Sequence, residues 1–169
     1  MSGPVLLSSY EQMLKGKEAT KSNLAFNQLR DNPLYFDFNQ DMTNQERPWE
    51  QIEIFVPMLF DMWNETKEKM LPYFQTRKSR CEQEDMMKGI VCILAAFHWI
   101  KGTPVVTLEW EKVKQVSFPV APINWTERLE FILLKPTQYH CFIQLDELFT
   151  ELKKQYGKHI AMKKLKQNR

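Results

Sequence analysis

The sequence predicts a mainly α-helical protein, a single compact domain of about six helices around a central apolar helix at 82–101. Three observations predict it. The run GIVCILAAFHWI, residues 89–100, is apolar on almost every side of a helix and is bracketed by Lys88 and Lys101. At 1.5 Å per residue it spans roughly 18 Å, too short for a bilayer, so it belongs in the middle of a protein. The segment 138–156 places Tyr139, Phe142, Ile143, Leu145, Phe149, Leu152 and Tyr156 at spacings of three and four, the pattern of an amphipathic helix. Eleven Phe, five Trp and five Tyr in 169 residues supply the area for a well-packed core.

The elements follow in order. Val5, Leu6, Tyr10 and Leu14 have helical spacing, so 4–15 is read as a short helix. Residues 16–47 are polar with recurring anchors (Leu24, Phe26, Leu29, Leu34, Tyr35, Phe36, Phe38) and are read as an arm over the body, with a helix near 22–30 and a turn at Asn32-Pro33. A new helix starts at Thr43 or Asn44 with Pro48 in its first turn, and buries Trp49, Ile52, Phe55 and Val56. Pro57 interrupts it and opens a second helix over 57–75, with Phe60, Trp63, Met70, Leu71 and Phe74 inside; Pro72 should kink or end it. Glu82, Glu84 and Asp85 suit the N-terminal end of the central helix and Gly102 its stop. In 105–118, VVTLEWEKVKQVSF, a lone strand has no evident partner, so a short helix around 108–115 is preferred. Asn124 and Glu127 form a capping box for a helix reaching about Leu134. Gly157 ends or bends the last helix. The domains are then an arm at 1–47, a helical core at 48–157 and a basic tail at 158–169.

Charge is unevenly distributed. Residues 1–152 carry 16 basic and 21 acidic residues, a net of −5. Residues 153–169 carry Lys153, Lys154, Lys158, Lys163, Lys164, Lys166 and Arg169 with no acid, a net of +7. Such a tail can contact phosphates or an acidic partner without precise geometry, and Ile160, Met162 and Leu165 add apolar contacts. Arg77, Lys78 and Arg80 could extend a nucleic-acid surface. Tyr156 alone offers little base stacking. The opening MSGPVLLSSY has no charged region or long apolar stretch, so no signal peptide is expected. Cys81, Cys92 and Cys141 show no framework spacing, and reduced thiols in a cytoplasmic protein are expected.

Catalytic patterns are sparse. His98 has Phe97 and Trp99 beside it, with no nucleophile or carboxylate one turn away, and reads as a core histidine held by one carbonyl. His140 and Cys141 are adjacent and therefore diverge by about 100° on a helix, out of reach for a nucleophilic pair. Metal-ligand spacings and phosphate-cradling glycine motifs are missing, so no cofactor or metal is expected. An enzyme is not expected; the remaining enzymatic alternative uses His98 or His140.

Two blocks carry a family resemblance. One is Pro122, Asn124, Glu127, Arg128, Leu129, Phe131 and Ile132; the other is Tyr139, His140, Phe142 to Leu145, and Glu147 to Phe149. With Pro48 and Trp49, they make residues 48–158 resemble the YpoC-like family of Gram-positive bacteria. The genes of that family tend to lie beside those of a replication-initiation protein and a repair endonuclease, which implies a role near DNA metabolism. It implies no catalytic residues. Within the resembling region Arg128, His140, Gln144 and Glu147 are the polar residues that define a candidate binding surface. The expected function is a cytoplasmic protein-interaction module using the polar face of 138–156 and the basic tail, with direct nucleic-acid binding by the tail as the alternative.

Overall fold

The twelve apolar residues that the sequence places at the centre are there: every residue from Gly89 to Ile100 is buried. The computed structural model describes residues 3–17, 24–42, 45–76 and 81–168. Among them seven α-helices form: α1 Gly3–Lys15, α2 Ala25–Asp31, α3 Ile52–Gln75, α4 Gln83–Lys101, α5 Trp110–Val113, α6 Trp125–Leu134 and α7 Tyr139–Gln167, with short 3-10 turns at Asp37–Asn39 and Pro48–Glu50. No extended strand forms among the described residues.

Helices α3, α4 and α7 make the core, and α3 runs along α4 more extensively than any other pair. Trp63 of α3 lies flat on Phe149 of α7, ring centroids 4.8 Å apart and 6° from parallel. Gly89 of α4 sits beneath the same indole, where a Cβ would come within 2.5 Å of Trp63 Cζ3. A side chain at 89 would push the helices apart, so glycine there sets the α3–α4 spacing. Gly102 closes α4 with φ of +93°, the left-handed cap that glycine adopts without a Cβ penalty.

The arm is part of this core. Leu7, Leu14, Leu29, Leu34 and Phe36 are buried in the same apolar cluster as α3, α4 and α7. Two of its carboxylates also anchor the extended connector 103–109, whose backbone has no sheet partner. Glu11 accepts the Leu108 N–H and the Thr107 hydroxyl. Asp37 Oδ2 accepts the Val105 N–H at 2.7 Å and the Trp99 indole N–H at 2.9 Å. The helices at 25–31, 110–113 and 125–134 match the sequence expectation to within a few residues.

Four expectations change. Pro57 does not divide the helix: α3 runs unbroken through Pro57 and Pro72. Each proline removes one backbone donor, but the burial of Val56, Leu59, Phe60 and Met70 around them outweighs that cost. Pro72 accepts the Thr76 N–H as the helix closes. Leu71 and Tyr139 are exposed rather than inside, at 37% and 49%. The capping box is not made: Asn124 has φ of 57° and its side chain caps nothing. That left-handed backbone is not the extended one from which an N-cap side chain bonds the helix N–H groups, and asparagine fits because it tolerates the geometry. Finally, Gly157 does not end the last helix, which continues to Gln167. The expected helix start at Thr43 or Asn44 lies outside the described residues; Pro48 opens a 3-10 turn instead.

Candidate functional site

Helix α7 carries three surfaces, each defined by the helical repeat. On the first stripe His140, Gln144, Glu147 and Glu151 recur at four, three and four residues, so all four share one face. Helix α6 packs beside that face and sends Arg128 across. Its two terminal nitrogens each donate to a Glu151 oxygen at 2.9 Å, and Arg128 also donates to the Ile123 carbonyl at 3.3 Å. This fork holds the Glu151 carboxyl below its ordinary range. Asn124, Glu127, Arg128, Phe131 and Gln144 line a shallow groove of about 570 Å³ there. His140 lies against the Phe131 ring, centroids 6.4 Å apart. The structure thus brings Arg128 and Gln144 to one groove, with His140 against the Phe131 ring that lines it and the exposed Glu147 on the same α7 stripe. It also gives Arg128 a structural task, since its guanidinium is committed to Glu151.

The second surface was not evident in the sequence. Asp146, Thr150, Lys153 and Lys154 of α7 face Phe60, Trp63, Asn64 and Lys67 of α3 across a groove of about 450 Å³. The Trp63 indole donates to Asp146 at 2.9 Å, and Lys67 pairs with the same oxygen at 3.2 Å. The signal was present but faint. Trp63–Lys67 and Asp146–Thr150 are both one turn apart, which puts each pair on one face; only the pairing of α3 with α7 shows that these faces meet.

The third surface is the C-terminal run. Lys158, Lys163, Lys164 and Lys166 occupy the last turns of α7 and are exposed, together with Met162 at 60% and Leu165 at 65%. Ile160 is the last residue that packs against the core. Lys153 and Lys154 belong to the α3–α7 groove, so the basic run begins on the body and continues past it. Arg169, and the Arg77, Lys78 and Arg80 cluster, lie outside the described residues.

His98 and His140 each pack against a phenylalanine ring. His98 is buried, with Nδ1 2.8 Å from the Leu94 carbonyl and its ring against Phe118 at 4.8 Å. Burial pushes its proton affinity down, so it is neutral near pH 7 and Nδ1–H donates to that carbonyl. No carboxylate pairs with His98 or His140 among the described residues. Cys81, Cys92 and Cys141 are free and buried. Burial raises all three thiols, Cys81 to about 11 and Cys92 to about 12, the opposite of what a nucleophile needs. Among the described residues no group of three or more His, Cys, Asp or Glu comes together to hold a metal, and no helix is long and apolar enough to cross a membrane.

Comparison with known proteins adds identity of sequence without a solved relative: no solved structure matches the chain. A protein of Bacillus subtilis (strain 168) named Uncharacterized protein YpoC is 53% identical over 157 residues, which cover 93% of this chain and 95% of that one. The family model described as YpoC-like protein matches residues 53–164, from the first turn of α3 almost to the end of α7. That span takes in the core helices, the Arg128–Glu151 fork and most of the basic run, and the chain belongs to the YpoC-like family.

Proposed function

We infer that this chain is a non-catalytic interaction protein whose working element is the C-terminal half of α7, which engages an acidic surface on a partner protein. One observation carries the reading. The helix stays continuous to Gln167, and every charge on it after Glu151 is positive or a histidine, with Met162 and Leu165 exposed among the lysines. A frayed terminus would present cations at random; a helix presents them at fixed spacing with apolar anchors three residues apart. The neutral, carbonyl-bonded His98 and the buried, high-pKa thiols support the non-catalytic part of the reading.

The test is affinity capture from Bacillus subtilis lysate, with the intact chain compared with a variant carrying Lys158, Lys163, Lys164 and Lys166 as glutamate. The reading expects a defined protein partner retained by the first and lost by the second. Identical capture by both would sink it.

A second reading is direct nucleic-acid binding. The α3–α7 groove favours it, because Lys67, Lys153 and Lys154 extend the basic run onto the body. It requires duplex DNA binding that falls steeply with salt, by about one counterion per phosphate contacted. Binding indifferent to salt, or absent at low salt, rejects it.

A further inference from the structure

We propose that two copies of this chain associate reciprocally, each seating the basic end of its α7 in an acidic-rimmed apolar groove on the other. The proposal rests on the docking role inferred above for α7 and names a partner for it.

The groove lies where the start of α1, helix α5 and helix α6 meet, and holds about 440 Å³. Trp110, Phe131 and Leu134 form its apolar lining; Glu111, Glu127 and Glu130 surround it. Phe131 is 48% and Leu134 72% exposed, so this lining faces solvent in the single chain. Glu130 is held in place by the Trp110 indole N–H at 2.9 Å and Glu111 pairs with Lys114, while all three glutamates remain at the surface.

The end of α7 has the complementary composition. Met162 and Leu165 are three residues apart and share a face, and Lys158 and Lys166 stand one turn before and one turn after Met162. An apolar pair bracketed by cations matches an apolar slot bordered by carboxylates, the arrangement in which an amphipathic helix lies in a groove. The charge division of the chain fits the same partner, since one molecule supplies both the net −5 of residues 1–152 and the net +7 of 153–169. A continuous helix past Ile160 does not fold back onto its own α6, so the contact needs a second molecule. Reciprocal exchange satisfies both tails and both grooves in one closed two-fold pair.

Sedimentation of the full chain over a range of concentration and salt tests this. The chain should dimerise, and salt should weaken the dimer. A groove variant, Glu111→Lys with Glu127→Lys, and a tail variant, Lys158→Glu with Lys166→Glu, should each self-associate at least about tenfold more weakly. An equimolar mixture of the two should recover association, because each reversed tail then meets a reversed groove and each native tail a native one. Thermal melting of each variant alone confirms that it is folded. A chain that stays monomeric, or a dimer that neither reversal weakens, overturns the proposal. If the chain is monomeric yet its lysines still capture a foreign protein, the second-copy partner is wrong and the docking role stands; if neither occurs, both fall.

Discussion

Asp37 accepts the indole N–H of Trp99 through Oδ2, although 62 residues separate them. The same oxygen takes the Val105 N–H, while Oδ1 has no partner in the interior. One arm carboxylate therefore ties the end of the central helix to the connector that follows it. Burial raises its pKa from 3.8 to about 7, against the opposing pull of the two N–H donors. A carboxyl whose folded pKa is raised binds its proton more tightly when folded. Its stabilisation is full below pH 3.8 and is lost as pH rises through about 7. Asp37→Asn should remove this slope from a series of chemical denaturations between those limits, while Asp37→Ala strands two buried donors and should cost about 2–4 kcal/mol. A wild-type slope unchanged in Asp37→Asn would assign the titration elsewhere.

His98 acts in the opposite direction. Burial lowers its pKa from the ordinary 6.5, although the Leu94 carbonyl works to raise it. The unfolded chain protonates first on acidification, so the stability His98 contributes is present above that value and lost as pH falls. His98→Gln can keep a donor for the Leu94 carbonyl but no longer titrates. It should flatten the acid-side loss measured by the same denaturation series; a loss as steep as before would assign it to groups other than His98.

Much of this fold is legible in the sequence because it is periodic. The central helix, the α7 pattern and the Gly102 stop are local signals and appear where expected. What is missed depends on contacts between distant segments. Pro57 lies inside an unbroken α3, the helix that packs most extensively along α4. Asn124 suggests a cap by residue type, yet the turn before α6 requires a left-handed residue. The candidate surface behaves likewise. Its α7 stripe follows from spacing, but the commitment of Arg128 to Glu151 and the meeting of Lys67 with Asp146 come from the way α6 and α3 lie against α7.

Two glycines should respond in opposite ways to alanine. At Gly157 a Cβ would meet nothing within 4 Å, and the residue lies inside a continuous helix. Gly157→Ala should stabilise by about 0.5–1 kcal/mol, which for a chain of this size raises Tm by roughly 1–4 °C. At Gly89 a Cβ would enter the Trp63 ring. Gly89→Ala should cost about 1–3 kcal/mol by overpacking. Calorimetry that gave both changes the same sign would contradict this account of the α3–α4 spacing.

The thiols should be inert in the folded chain. Cys81, Cys92 and Cys141 are buried and their pKa values are raised. A colourless disulfide reagent that releases a chromophore should label all three in denaturant and react only slowly without it. Rapid labelling of the native chain would mean that the Thr137–Cys81 contact opens readily, since that thiol lies nearest the surface.

The tail can be separated from the fold, but the place of the cut matters. The charge boundary at Glu151 suggests ending the chain there. That cut removes Leu152, which is fully buried, and Tyr156, whose hydroxyl donates to the Ile52 carbonyl at 3.2 Å and whose ring packs edge-on against Phe60. It also removes Gln155, which donates to the Ala121 carbonyl at 3.2 Å. Losing one buried leucine alone costs about 2–5 kcal/mol, so a chain ending at Glu151 should melt well below the intact one. Lys163, Lys164 and Lys166 are exposed and lie beyond Ile160, the last core contact. Changing all three to alanine should move stability by no more than about 0.5 kcal/mol while removing tail-dependent binding. Equal melting of the two shortened or altered forms would show that α7 contributes little to the core after Glu151; a large loss of Tm in the lysine variant would show that the basic turns pack on the body and are not free to dock elsewhere.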